Sequence, residues 1–245
     1  MTMPSAPKGA SGVLLPTVLD ELGVDIVSGT LPAGHTFTLQ QLSERFGISR
    51  TVAREVMRAL EQMGMVSSSR RVGIKVLPES SWDIFDLVVM KWRWRVDSHR
   101  ERMMAELDEL RCAIEPFAAT TAAQRRTDEQ AERLTKLATD LAELLERQDA
   151  EDLHDEIIEA NRLFRRALFE ASGNKMIGAL AATVCSTHDC LPNGDSIFSP
   201  EGDSFPQAHI ELARAVEQRD VAAAAAASRV ICQATGQAAP AHNQD

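Results

Sequence analysis

The order of apolar and polar positions divides the chain into two regions that predict different secondary structure. Up to residue 78, helical periods are followed by two short alternating segments, which predict helices and then strands. Over residues 85–235, apolar positions recur almost throughout at helical spacing, which predicts an all-α antiparallel bundle. Polar residues 79–84 predict a hinge between the two regions. Residues 1–11 and 236–245 are rich in small residues and predict a disordered leader and a flexible tail.

Local start and stop signals predict the order of elements in the first region. Glycine and serine mark several of the boundaries, because glycine ends helices and a serine side chain caps them. The predicted elements are helices over 14–28, over 39–46 and from Ser49 to about Met63, and a hairpin over 65–76. This is the order of a winged helix-turn-helix, so residues 12–78 are predicted to form that domain in a mainly α protein.

The third predicted helix has one apolar face and one basic face. Its apolar residues fall at helical spacing and predict a buried stripe: Val52, Ala53, Val56, Ala59, Leu60 and Met63. Arg50, Arg54 and Arg58 follow one another at four-residue intervals on the opposite face, and we call them the arginine ridge. The ridge could also be an ordinary solvated helix face, which is the usual fate of a charge run.

The local charge favours a nucleic-acid surface over a solvated face. Residues 39–76 contain seven Lys and Arg and three Glu, a net charge of +4, although the whole chain carries -10. Phosphate neutralisation provides affinity for a duplex, and arginine can recognise guanine edges. The acidic balance of the whole chain argues against general binding to nucleic acid or anionic membranes. We therefore expect a local site for double-stranded DNA.

Composition excludes several other classes of protein. No apolar run reaches the roughly 20 residues of a membrane span, and no secretion signal precedes the first helix, so a cytoplasmic protein is expected. The four cysteines lack paired spacing and are predicted to be reduced, buried apolar residues. The sequence shows no nucleophile–base pair, phosphate-binding loop or paired carboxylate site, so an enzyme is not expected.

The residues of the basic helix and hairpin resemble a known family. The segment 49–57, SRTVAREVM, resembles the S-R-T-P-V-R-E-A-L signature of GntR-type regulators, and 71–76, RVGIKV, resembles their R-x-G-x-x-V wing. The resemblance implies a homodimer on a pseudo-palindromic operator, with the third helix in the major groove. The resemblance implies DNA contacts for six residues: Ser49, Arg50, Thr51, Arg54, Arg71 and Gly73. Because Arg58 continues the arginine ridge, we add it to the predicted DNA-binding residues.

The second region resembles the FCD domain of the FadR-like branch of that family. Residues 107–119 are similar to the opening helix of that domain, and 161–174 follow the length and framework of its D-x-x-F-H-x-x-L-x-x-A-S-G-N motif. Residues 82–95 further resemble regulators of sugar-acid catabolism. The resemblance implies a helical domain that binds an effector and supports dimerisation.

The metal ligands implied by this resemblance are mostly absent. An aspartate, a histidine one turn later and two further histidines hold a divalent metal in FCD domains. Here the corresponding residues are Asn161, Arg165, His209 and Ile231. One histidine cannot hold a zinc-like ion, and arginine is not a ligand, so no metal or other cofactor is expected.

Two polar residues nevertheless interrupt an apolar helix face. Asn161 and Arg165 share the face of Ile157, Phe164 and Leu168 and should therefore point towards the bundle core, where polar groups need partners. We hypothesise an effector site that consists of Arg111, Glu115, Asn161, Arg165 and His209. In this site Arg165, with Arg111, replaces the metal's positive charge and binds an effector carboxylate, while Asn161 and His209 bond hydroxyls of a sugar acid.

Two alternatives remain open at this stage. Arg165 could form a salt bridge to Glu115 and bind no ligand, and His209 could be an ordinary core histidine. The predicted function is a repressor released from operator DNA by a small carboxylate, such as gluconate. The alternative function is effector-independent DNA binding, with the helical domain serving only for dimerisation.

Overall fold

The computed structural model describes residues 14–69, 73–147, 153–185 and 204–236. Within these ranges it contains ten α-helices, one 3-10 turn and one three-stranded antiparallel sheet. The chain divides into two compact units, one ending at Arg100 and the other beginning at Glu101. The mainly α fold class, with a helix-turn-helix followed by helices, is confirmed.

The first unit contains four helices and the sheet. Its elements are α1 (Leu14–Val27), β1 (Thr36–Phe37), α2 (Leu39–Phe46), α3 (Arg50–Gln62), β2 (Val66–Ser69), β3 (Gly73–Val76), a 3-10 turn (Glu79–Ser81) and α4 (Leu87–Arg95). The strand order is β1-β3-β2, with Phe37 opposite Ile74 and Ser69 opposite Gly73. All three predicted helices and both predicted strands are present, whereas β1 was not predicted.

Side-chain caps fix the ends of α2 and α3. The Thr38 hydroxyl accepts a hydrogen bond from Gln41 N, and the Gln41 side chain accepts one from Thr38 N, so α2 begins with a capping box. Gly47 ends α2 at φ 64°, a left-handed conformation that glycine adopts without steric cost. The Ser49 hydroxyl then accepts from Val52 N at 3.3 Å and starts α3, as predicted.

The core of the first unit includes residues beyond the predicted hinge. Val89 and Trp92 of α4 are fully buried with residues of α1 and the sheet. Trp92 Nε1 donates to Asp20 Oδ1 at 3.0 Å, and a Cβ at Gly23 would lie 2.4 Å from the Trp92 ring. This close packing explains why the unit extends to Arg100, past the segment 79–84 that the sequence suggests as a hinge.

The second unit is a helical bundle. Its helices are α5 (Asp97–Arg125, which begins just before the unit boundary), α6 (Asp128–Glu146), α7 (His154–Ala171), α8 (Lys175–Cys185), α9 (Ser204–Glu217) and α10 (Val221–Gly236). Helix α6 packs against α7 and α9, α9 packs against α10, and α7 packs against α8. The predicted capping box of Thr127 and Gln130 begins α6. The main core is built from the apolar faces of α5, α6, α7, α9 and α10.

Several predictions fall outside the described residues or need correction. The leader (1–11), the tail after residue 236 and the wing residue Arg71 lie outside the described residues. The prediction of buried cysteines is wrong for Cys112, which is exposed, because it follows the buried Arg111 and therefore points about 100° away around α5. No helix in the described ranges is long and apolar enough to cross a membrane.

Candidate DNA interface and buried polar cluster

Helix α3 has the two faces that its sequence predicts. Ala53, Val56, Met57 and Leu60 are buried in the first core, and Val52 and Met63 pack against it. Met57 was missing from the predicted stripe, although it lies four residues after Ala53 and therefore shares its face. The predicted contact residues on this helix and its cap are all exposed: Ser49, Arg50, Thr51, Arg54 and Arg58. The arginine ridge is thus held on the surface by a buried opposite face.

The three arginines of the ridge differ in their electrostatic partners. Arg58 Nη1 lies 2.7 Å from Glu55 Oε1, three residues earlier on the same helix. In the described part of the chain, neither Arg50 nor Arg54 forms an ion pair with a carboxylate. Their full charge is therefore available to a polyanion, whereas the charge of Arg58 is partly balanced by Glu55.

The hairpin needs glycine at the start of β3. Gly73 has φ 84°, and a Cβ there would lie 2.8 Å from the carbonyl oxygen of Phe37 in β1. Any other residue would thus be strained and would push β1 away. Lys75, two residues later, is exposed and adds a positive charge to the hairpin. Gly73 therefore fixes the shape of the wing and offers no side chain for a contact.

Five predicted polar residues are buried in the second unit, and we call them the polar cluster. Each is at most 3% exposed: Arg111, Glu115, Asn161, Arg165 and His209. Arg111 Nε donates to Glu115 Oε1 at 3.1 Å, and Arg165 Nε lies 3.5 Å from the same oxygen. The structure therefore brings Arg111, Glu115 and Arg165 together, and the ion pair that the sequence left as an alternative for Arg165 is present.

Two further residues complete this charge network and were not predicted. Asp108 Oδ1 accepts from Arg111 Nη1 at 2.9 Å, and Cys232 Sγ donates to Glu115 Oε2 at 3.2 Å. Asp108 lies three residues before Arg111 on α5, so helical spacing could have revealed this contact. Cys232 is 117 residues away from Glu115, and no sequence signal links the two.

The network fixes the ionisation of its carboxylates. Burial alone raises the pKa of Glu115, but the positive charges of Arg165 and Arg111 outweigh it and hold the pKa below its ordinary value. Burial raises the pKa of Asp108 despite the attraction of Arg111. Burial also raises the pKa of the Cys232 thiol, which therefore stays protonated and donates its hydrogen bond. Glu115 is thus the charged centre of the network.

Asn161 lies on α7 together with Arg165, and His209 lies on α9. Asn161 is 1% exposed, and its Oδ1 has no hydrogen-bond partner among the described residues. The His209 ring meets the Phe164 ring edge-on, with the centroids 4.9 Å apart. Phe164 directly precedes Arg165 in α7, so His209 lies beside the helix that carries both Asn161 and Arg165. The amide oxygen of Asn161 is a buried acceptor that requires a donor.

The donor set of this region does not fit a divalent metal. Arg165 adds a positive charge one helical turn after Asn161 on α7, and Ile231, at the last implied ligand position, is buried in the apolar core. Within the described residues, no group of three or more His, Cys, Asp and Glu side chains is placed to hold a metal ion. His209 alone would be a single strong ligand, whereas structural and catalytic zinc sites use three or four.

Comparisons with known proteins match both units. Residues 106–234, more than half of the chain, match the model of the FCD domain, and residues 16–76 match that of the bacterial regulatory proteins of the gntR family. The chain belongs to the GntR family. This family consists of transcription regulators, so the prediction that the chain is not an enzyme is confirmed.

Two relatives from Escherichia coli K12 are similar over most of the chain. An uncharacterized HTH-type transcriptional regulator, YieP, is 30% identical over 148 residues, which cover 60% of this chain and 62% of that protein. The galactonate operon transcriptional repressor is 28% identical over 167 residues, covering 67% of this chain and 69% of that repressor. The chain thus spans less than two thirds of the length of the first of these relatives.

Two solved structures share the fold. A GntR protein of Streptococcus agalactiae aligns with a TM-score of 0.50 and 22% identity, over 91% of this chain and 99% of that chain. A structure described as Lar, which controls expression of the agr system of Listeria monocytogenes, aligns with a TM-score of 0.57 and 16% identity, over 93% and 97%. At these identities the likeness supports the fold alone.

Proposed function

We propose that this GntR-family protein is a repressor that binds a pseudo-palindromic operator as a homodimer and is released by a small carboxylate. A sugar acid such as gluconate is the effector class that we favour. The observation that carries the ligand response is the polar cluster, in which the buried Asn161 oxygen lacks a donor among the described residues. The name of the galactonate operon repressor supports both the repressor role and the sugar-acid class.

The DNA contacts that we propose lie on the arginine ridge and the hairpin. Arg50 and Arg54 read bases, Ser49 and Thr51 contact phosphates or bases, and Arg58 adds positive charge. Arg71 and Gly73 form the wing that enters the minor groove. In a two-fold dimer the paired α3 helices would lie one DNA turn apart, roughly 34 Å.

The effector site that we propose is metal-free. Arg165, supported by Arg111, binds the carboxylate, Glu115 is the internal counterion of the two arginines, and Asn161 and His209 bond hydroxyl groups. The positive charge of Arg165 stands where the family has a metal ligand, and it would repel a dication. Metal analysis of protein purified without chelator should therefore find far less than one zinc, nickel or manganese ion per chain, and near-stoichiometric metal would refute this part.

Fluorescence anisotropy with labelled DNA from upstream of the chain's own gene tests the whole proposal. Wild-type protein should bind this DNA and be released by one member of a gluconate and galactonate panel. In a separate sedimentation experiment it should have about twice its 26.8 kDa chain mass, as a homodimer does. Arg165→Ala should bind DNA but resist release. Arg166→Ala is the matched control, because Arg166 is the next residue of α7 but pairs with Glu170 on the surface. Normal release of the Arg165→Ala protein would contradict the proposed pocket.

A second candidate is effector-independent DNA binding with a helical domain that only dimerises. The observation that favours it is the pairing of Arg111 and Arg165 with Glu115, since buried arginines balanced by an internal carboxylate do not require a ligand. Failure of every carboxylate in the panel to release DNA or to raise the thermal midpoint would support this alternative.

A further inference from the structure

One oxygen of Glu115 occupies both arginines to which we assign the effector carboxylate. Arg111 Nε and Arg165 Nε lie 3.1 Å and 3.5 Å from Glu115 Oε1. Glu115 is itself fully buried in the second unit, and its low pKa keeps it ionised. Glu115, a residue of α5, therefore already holds the position at the two arginines that a ligand carboxylate would take.

The charges of the network limit how a ligand can enter. Two guanidinium groups, of Arg111 and Arg165, face two carboxylates, of Glu115 and Asp108. A carboxylate that entered without displacing Glu115 from a guanidinium group would have no counterion in contact, and an unpaired buried charge is strongly unfavourable. Exchange of one carboxylate for another keeps the guanidinium groups paired at all times.

We propose that Glu115 is an internal competitor of the effector, whose carboxylate takes the place of Glu115 Oε1 at Arg165. This inference rests on the proposed function, because it specifies how the proposed carboxylate enters. It makes Glu115 a residue that sets effector affinity, beyond its contribution to the fold. An effector must outcompete a carboxylate tethered to α5, so only ligands with additional polar groups bind well.

The two arginine contacts of Glu115 are unequal, which identifies the one that exchanges. Arg111 is also held by Asp108 at 2.9 Å, within the range of a strong charge-assisted hydrogen bond. The contact of Arg165 with Glu115, at 3.5 Å, is longer than that range. Arg165 can therefore give up this longer contact with Glu115 while Arg111 keeps its hydrogen bonds to Glu115 and Asp108.

The other oxygen of Glu115 and the amide of Asn161 support the exchange. Glu115 Oε2 accepts from the Cys232 thiol at 3.2 Å, so Glu115 keeps a partner when Oε1 leaves Arg165. Asn161 lies one helical turn before Arg165 on α7, and its buried Oδ1 has no partner in the described part of the chain. A ligand whose carboxylate reaches Arg165 can supply the missing donor to Asn161 from a neighbouring hydroxyl.

Removing the competitor should open the arginines to a free carboxylate, which sodium formate tests directly. The thermal midpoint of full-length Glu115→Ala is measured against formate, with sodium chloride holding ionic strength constant. We expect a saturable rise of about 3–6 °C at ten times the dissociation constant. Glu170→Ala is the control, because Glu170 also lies between two arginines, Arg133 and Arg166, but is 40% exposed.

The controls decide where the formate binds. The rise should be absent in Glu170→Ala and in the double variant Glu115→Ala/Arg165→Met. An equal rise in either of them, or no saturable rise in Glu115→Ala, would overturn the inference. If Glu115→Ala does not fold, Glu115→Gln replaces it, because a neutral amide fills the space but holds guanidinium groups weakly. The half-saturating formate concentration of Glu115→Gln should be at least tenfold lower than that of wild type, and equal values would overturn the inference.

This test can fail separately from the proposed function. Formate binding by Glu115→Ala without release of operator DNA by any sugar acid would keep Glu115 as a competitor and remove the effector class. Release of wild-type protein by a sugar acid whose affinity is unchanged in Glu115→Gln would keep the function and refute the role of Glu115.

Discussion

The arginines of α3 and those of the polar cluster have the same side chain in opposite environments. Arg50 and Arg54 are exposed and have no carboxylate partner in the described residues, which suits a surface that meets a polyanion. Arg111 and Arg165 are buried and meet Glu115 within 3.5 Å. An exposed guanidinium keeps its water until a ligand arrives, whereas a buried one needs a counterion for the protein to fold. The exposed arginines are therefore suited to bind DNA phosphates directly, whereas the buried arginines can bind a ligand carboxylate only in exchange for Glu115.

The largest expected effect comes from removing the buried counterion. Glu115→Ala should lower the free energy of unfolding of the second unit by about 3–5 kcal/mol, because two buried guanidinium groups lose their partner. Glu170→Ala, which also removes a carboxylate from between two arginines, should cost about 0–1 kcal/mol because solvent screens it. Chemical denaturation measures both. Equal losses of unfolding free energy in Glu115→Ala and Glu170→Ala would show that burial does not make the arginine pairs of Glu115 more important for stability than those of Glu170.

The exposed arginines should affect DNA affinity without affecting stability. Arg54→Ala should weaken operator binding by about 1–3 kcal/mol, roughly 5- to 150-fold, while the thermal midpoint stays unchanged. Arg58→Ala should lose less, because Arg58 is already paired with Glu55. Anisotropy titrations at fixed moderate salt compare the two variants. Unchanged affinity in Arg54→Ala would show that α3 is not the recognition helix.

Removing a helix cap should lower stability by a smaller amount, and one cap variant in each unit allows the two units to be compared. Ser49→Ala and Thr127→Ala each remove a hydroxyl that accepts from a backbone N–H, at the starts of α3 and α6. Each should cost about 1 kcal/mol of stability. Ser49→Ala alone should also weaken DNA binding, because Ser49 lies on the proposed interface. Loss of DNA affinity in Thr127→Ala would contradict this separation of roles.

The smallest effect is expected from acid, because two carboxylates of the network oppose each other. The pKa of Glu115 is lowered by folding, so its stabilisation is present above the unfolded value, about 4.3, and is lost as the pH falls through the folded value. The raised pKa of Asp108 acts in the opposite direction. The difference in unfolding free energy between wild type and Glu115→Gln should therefore shrink as the pH falls below about 4.3. A constant difference would show that Glu115 does not titrate there.

Local chemistry made much of the fold predictable. The bounds of α2 follow from Thr38 and Gly47, and Thr127 marks the start of α6, because capping depends on residues within three or four positions. The two faces of α3 follow from its period, except for Met57. The same reasoning placed Asn161 and Arg165 on a buried face.

The sequence by itself therefore determined the helices, the basic face of α3 and the presence of buried polar groups in the second unit. Only the tertiary structure decided their partners: β1 forms because β3 pairs with it, and Trp92 extends the first unit because it packs on Gly23. The same holds for Glu115, which meets Arg165 of α7 and Cys232 of α10. Caps and periodicity act over a few residues, whereas these contacts join distant segments whose meeting depends on how whole helices and strands pack.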